Sequence, residues 1–116
     1  MAKRTNGLSE PVFLILTALA KQPLHGYAIV NAVRELSGER VELRVGTLYG
    51  VLDRLVGDGW AERDREEVHR GRLRRYYRIT DDGVRALELE AERLAANVRA
   101  ASAVLRSRPL TAGGTA

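Results

Sequence analysis

Residues 69–78 read HRGRLRRYYR and hold Arg70, Arg72, Arg74, Arg75 and Arg78 with no acid among them. A guanidinium fork grips a phosphate or a guanine edge through parallel N–H bonds. Five such forks in ten residues therefore point to a polyanion. The bland alternative is a solvated ribbon whose arginines pair with Glu62, Asp64, Glu66 and Glu67 just upstream. Surface pairs are worth only about 0–1 kcal/mol, which gives no energetic reason for such a cluster.

A second segment carries compatible chemistry. Projected at about 100° per residue, a helix over Thr47–Val56 puts Leu48, Val51, Leu52 and Leu55 on one side. Gly46, Gly50, Asp53, Arg54 and Gly57 fall opposite, with Thr47 and Tyr49 on the flanks. Arg54 has the reach for a guanine edge or a phosphate. Thr47 sits at the helix start, where backbone N–H groups welcome a phosphate, and the Tyr49 hydroxyl is a further phosphate donor. Gly50 costs the helix about 1 kcal/mol relative to Ala and leaves a surface that another can approach closely. Asp53 would repel phosphates unless paired with Arg54 or aimed at a cytosine amine. An ordinary amphipathic helix would also show such a polar face.

The elements that must position these residues follow from punctuation and periodicity. Ser9 and Pro11 open a strongly apolar helix (Val12, Phe13, Ile15, Leu16, Leu19) that Pro23 ends. A second helix runs from about His25 to Leu36 and stops at Gly38. Val41, Leu43 and Val45 alternate with polar residues and predict a short strand. After the third helix, Trp60–Arg65 and Arg72–Ile79 predict two strands, with EEVHRG as the polar tip of a hairpin and Gly71 as its turn residue. Alternation places Leu73, Arg75, Tyr77 and Ile79 on one face, and Arg72, Arg74, Tyr76 and Arg78 on the other. Thr80, Asp81 and Asp82 open a last helix that reaches about Arg106.

This order predicts an α+β fold, mainly α: a winged helix-turn-helix with a long C-terminal dimerisation helix. The expected division is a flexible basic arm over 1–8, the winged domain over 9–80, the dimerisation helix over 81–106 and a disordered tail over 107–116. Val84, Leu87, Ala91, Leu94, Val98, Ala101 and Leu105 recur at spacings of 3 and 4, a heptad seam. A helix of this length spans about 39 Å, too long to pack wholly on so small a domain. Part of the seam therefore needs a second chain, and Phe13 and Leu16 of the first helix are the surface to clasp. The competing reading is a monomer whose last helix folds back on its own core.

The chain has 116 residues, a formal net charge of +4 and no cysteine, which excludes disulfides, thiol redox chemistry and cysteine-bound zinc. His25 and His69 are the only histidines, too few for a histidine-rich metal or catalytic centre. No nucleophile–base pair or phosphate-binding glycine motif stands out, so neither an enzyme nor a cofactor is expected. No apolar run is long enough for a membrane span, and the start leads into no secretory pattern, so a cytoplasmic protein is expected.

LHGYAI (24–29), GTLYGVLDRLVGDGW (46–60) and RRYYRITDDG (74–83) together resemble the three signature stretches of the PadR family of bacterial transcriptional regulators, in family order and spacing. The resemblance implies a homodimeric winged-helix repressor that binds double-stranded DNA and leaves its operator on binding a small effector. It matches Gly46, Thr47, Leu48 and Tyr49 to the start of the recognition helix, and Tyr77 to the tyrosine before the last helix. His25, Gly26 and Tyr27 match the second-helix signature, which implies packing and phosphate approach. Members often carry Pro where this chain has Gly50. The short C-terminal region resembles the compact branch, whose members can hold planar drugs at the dimer interface with aromatic residues. This last helix has none, so an effector pocket would rely on Phe13 and aliphatic walls. The alternative function is a winged-helix adaptor whose arginines face an acidic protein.

Overall fold

The computed structural model describes residues 7–110. Four helices and three strands follow one another as α1 (Glu10–Lys21), β1 (Leu24–His25), α2 (Gly26–Leu36), α3 (Val45–Gly57), β2 (Ala61–His69), β3 (Arg72–Ile79) and α4 (Asp81–Arg106). The sheet is antiparallel, in the order β1-β3-β2. This is the predicted winged helix-turn-helix.

The helix starts are set by the expected caps. Ser9 Oγ accepts from the Val12 N–H at 3.3 Å, and Thr80 Oγ1 accepts from the Gly83 N–H at 3.0 Å. α3 ends where Gly59 takes φ 81°, a conformation that costs a residue without Cβ nothing. The Trp60 N–H then turns back to the Leu55 carbonyl at 2.9 Å.

Leu14, Ile15, Leu16 and Leu19 of α1, Ile29 and Val33 of α2, Leu48, Leu52 and Leu55 of α3, and Ala61 and Tyr77 of the sheet form one core. The face of α3 predicted to be apolar is the one that is buried, which fixes the opposite face outward.

Three expectations are corrected. Residues 41–44 form no strand. The Val41 N–H bonds to Ser37 Oγ at 2.9 Å, and Val45 already belongs to α3. The third strand is instead β1, whose Leu24 and His25 face Tyr77 and Tyr76 of β3. The hairpin is also longer than predicted. β2 runs through EEVH to His69, and only Arg70 and Gly71 turn, at φ 53° and 79°. Positive φ at both central residues is the signature of a type I′ turn, whose twist matches a tight hairpin.

The third correction concerns the surface for a partner. Leu16 is 0% exposed within the protomer and cannot touch a second chain. It lies among Leu14, Ile15 and Leu19 in a helix buried on most of its circumference, whereas Phe13 stays half-buried at the core's edge. Leu87 is also packed partly against the protomer's own core. Beyond it, Ala91, Leu94, Val98, Ala101 and Leu105 are exposed along α4.

Residues 1–6 and 111–116 of the expected arm and tail lie outside the described residues. The end of the arm lies against α4, where the Leu8 N–H donates to Glu90 Oε2 at 3.2 Å. Arg93 grips the same carboxylate at 2.5 and 3.0 Å and holds it below the usual carboxylate range.

Candidate nucleic-acid interface

Burial of Leu48, Leu52 and Leu55 leaves Gly46, Thr47, Tyr49, Gly50, Asp53, Arg54 and Gly57 exposed on α3. A Cβ built on Gly46, Gly50 or Gly57 meets nothing within 4 Å. The protomer's own packing therefore does not require these glycines, and the surface they leave is a low one between Tyr49 and Arg54. No ion pair joins Asp53 to Arg54 among the described residues, so Arg54 keeps its donors for another partner.

Tyr49 leans back on the start of α2. A Cβ on Gly26 would stand 2.5 Å from the Tyr49 hydroxyl oxygen and 3.0 Å from its Cζ. Gly26 thus seats the phenol of α3 against α2, a contact that neither helix's own periodicity could reveal. The next residue, Tyr27, is 68% exposed on the first turn of α2.

Some of the hairpin's arginines are paired and others are not. Arg78 pairs with Glu62 at 2.5 Å and Asp64 at 3.0 Å, Arg75 with Glu66 at 3.4 Å, and Arg65 with Glu67 at 2.9 Å and Asp64 at 3.1 Å. Among the described residues, Arg70, Arg72 and Arg74, and Arg63 near the base, have no carboxylate within 4.0 Å. Ion pairs thus neutralise Arg65, Arg75 and Arg78, and leave Arg63 at the base and Arg70, Arg72 and Arg74 toward the tip without one among the described residues.

A cluster unseen in the sequence steadies the wing on the body. Tyr76 meets the His25 ring edge-on at 5.2 Å, lies under the Arg65 guanidinium at 3.8 Å, and donates its hydroxyl to Glu67 at 3.1 Å. The signal for it was the cross-strand register, which a short β1 hid. Desolvation, then the positive field of Arg74 and His69, holds His25 below the ordinary histidine range, with Glu67 opposing.

The unfolded chain therefore binds that proton more readily than the folded one. The stability contributed by neutral His25 is complete above about pH 6.5 and is lost as pH falls through the lower folded value. The melting temperature is expected to fall between pH 7 and 5, and His25→Asn to flatten that limb. A pH-independent melt of the wild type over this range would contradict the assignment. A further loss is expected in the carboxylate range, where protonation releases Glu67 from Arg65 and Tyr76, and Glu90 from Arg93.

Residues 15–89 match the model of the Transcriptional regulator PadR-like family. The chain belongs to this family. PadR-like proteins are transcriptional regulators rather than enzymes, and the sequence signatures, the winged fold and the family match all fall on the same stretch. A PadR family transcriptional regulator from Eggerthella lenta superposes with a TM-score of 0.67 at 27% identity, over 84% of this chain and 82% of that one. One from Clostridium difficile gives 0.69 at 27% identity, over 84% and 99%. An uncharacterised 37.1 kDa protein of a Streptomyces fradiae transposon is 44% identical over 92 residues, 79% of this chain. This chain spans only 24% of that relative's length. Within the PadR-like stretch lie Tyr27, Thr47, Tyr49, Gly50, Arg54, Arg70, Arg72 and Arg74, every residue singled out for DNA. Most of the exposed part of α4 lies beyond it. Among the described residues no helix is long and apolar enough to cross a membrane.

Proposed function

We propose that this PadR-like regulator acts in the cytoplasm as a homodimeric repressor of a pseudo-palindromic DNA operator, released by a small-molecule effector. The low outer face of α3 enters the major groove, where Arg54 reads a base edge and Thr47 and Tyr49 hold phosphates. Tyr27 adds a phosphate contact from α2, and Arg70, Arg72 and Arg74 hold the backbone from the wing. The observation that carries this reading is that Arg70, Arg72 and Arg74 toward the wing's tip have no ion pair among the described residues, while Arg75 and Arg78 of the same strand are neutralised.

Dimerisation is supported by α4. Residues 94–105 hold a single charge, Arg99, and nearly all are exposed. A helix this apolar around its circumference belongs inside an assembly. A second copy supplies that cover, packing Leu94, Val98, Ala101 and Leu105 against its own α4 and Phe13. The two-fold axis then sets the α3 helices about 34 Å apart, one turn of B-DNA. An effector lodged in that apolar seam would change the spacing of the two α3 helices.

Two substitutions test the division of labour on a duplex selected by the full chain from a random library. Arg54→Ala is expected to relax preference at one base position, at a cost of about 1–3 kcal/mol. Arg72→Ala is expected to weaken all duplexes alike and to flatten the salt slope by about 1. Identical behaviour of the two variants would refute the assignment, and equal wild-type affinity for a scrambled duplex would refute an operator altogether.

A further inference from the structure

α3 contains a single acid, Asp53, and the protomer gives it no counter-ion. Asp53 is exposed and joins no ion pair or side-chain hydrogen bond among the described residues. The wing treats its acids differently, since Glu62, Asp64, Glu66 and Glu67 each hold an arginine. Counted at about 100° per residue, Gly46, Gly50, Asp53 and Gly57 fall within about 60° of one another around α3. A Cβ on any of those three glycines meets nothing within 4 Å. Asp53 is therefore the one side chain on a strip of bare backbone, and a surface laid along that strip meets its carboxylate first.

The duplex that the proposed function lays there is a polyanion. A lone carboxylate in its groove is repelled by the phosphates on both sides and loses water on entry. Only a donor at a base edge offsets that cost. Two bases turn an exocyclic amine into the major groove, adenine with N6 and cytosine with N4. Beside the adenine amine stands N7, an acceptor that repels a carboxylate, whereas the cytosine edge carries no acceptor there. Guanine and thymine offer acceptors without a donor. Cytosine is thus the base whose edge suits Asp53.

We propose that Asp53 is a specificity-determining residue, which accepts from N4 of a cytosine one base step from the guanine that Arg54 reads and repels every other base at that position. This rests on the DNA-binding reading above. Asp53 adds little affinity for the right sequence. It makes the wrong ones worse, so discrimination comes from repulsion as much as from contact. Neighbouring residues of one helix reach neighbouring base positions, so each half-site carries a cytosine and a guanine side by side.

The test uses the full chain, the duplex that the wild type selects from a random library, and the same duplex with that C·G pair changed to T·A. The change sets thymine O4, an acceptor, where the cytosine amine stood. The wild type is expected to lose about tenfold in affinity. Asp53→Asn has the same shape but brings an amide N–H donor for O4, and is expected to bind the two duplexes with near-equal affinity. Asp53→Ala is expected to bind a scrambled duplex about threefold more tightly than the wild type does, because a screened like charge has gone. Both variants are expected to melt like the wild type, since Asp53 is exposed and unpaired. Wild-type discrimination against thymine in Asp53→Asn would overturn the proposal. So would variants that weaken every duplex alike, which would make Asp53 a support for α3 and not a reader of bases. A selected duplex with no cytosine beside the guanine that Arg54 protects would overturn it too. A wild type that selects no duplex at all would instead overturn the DNA-binding reading itself.

Discussion

Val98→Glu is expected to split the proposed dimer and lower operator affinity by a factor of about 10²–10⁴, the gain of linking two half-site contacts in one particle. Val98 is 63% exposed in the protomer and lies midway along the open part of α4. A carboxylate there meets water in the single chain and an apolar partner in the dimer. Burying it unpaired is costly, so the chains separate. Sedimentation should report the 12.8 kDa chain in place of twice that mass. The single chain should keep its helical circular dichroism, because Val98 contributes nothing to the core. A variant that remains dimeric and binds DNA with wild-type affinity would show that α4 has another task.

Gly83→Ala is expected to cost stability without touching either interface. The first turn of α4 crosses the start of β2 so closely that a Cβ on Gly83 would collide with the Trp60 carbonyl oxygen and stand 2.7 Å from Ile79 Cγ1. The Trp60 carbonyl is itself held, accepting from the Thr80 N–H at 3.0 Å, so backbone must move rather than a side-chain end. Overpacking of that kind costs about 1–3 kcal/mol, occasionally more. For a domain of this size, the melting temperature should fall by about 4–8 °C for each kcal/mol. A melt within a degree of wild type would mean that α4 joins the sheet less tightly than described.

The helices were legible because each combines an apolar stripe with its own punctuation. Ser9 and Pro11, Thr80 with Asp81 and Asp82, and the glycines after Leu36 and Val56 mark their ends locally. The exposed face of α3 followed from the same periodicity, since burying Leu48, Leu52 and Leu55 leaves one outward side. What depended on distant partners stayed hidden. β1 is two residues long, and only its pairing with Tyr76 and Tyr77 makes it a strand. Val41–Val45 alternates but has no neighbouring strand to pair with, so Ser37 takes the Val41 N–H. The outer part of β2 is charged on both faces because no helix covers it, and it therefore reads as a loop.

Leu16 shows the same limit inside a helix. Periodicity says that α1 is apolar, but not which side meets the chain's own core and which a second chain. Arginine composition pointed to a polyanion, and only register distinguished the neutralised guanidinia of Arg75 and Arg78 from the unpaired ones of Arg70, Arg72 and Arg74. The Gly26–Tyr49 contact belongs with these, because it joins two helices through a missing side chain.

Guanine N7 lies in the major groove, so dimethyl sulfate protection reports which groove α3 occupies and how many copies bind. On a duplex selected by the wild-type chain, two protected guanine clusters are expected, related by two-fold symmetry and centred about 10 base pairs apart. Protection at one cluster should fade with Arg54→Ala on a half-site duplex. A bound complex that leaves every guanine N7 open, or protects a single unrepeated cluster, would contradict a dimer that lays paired α3 helices in the major groove.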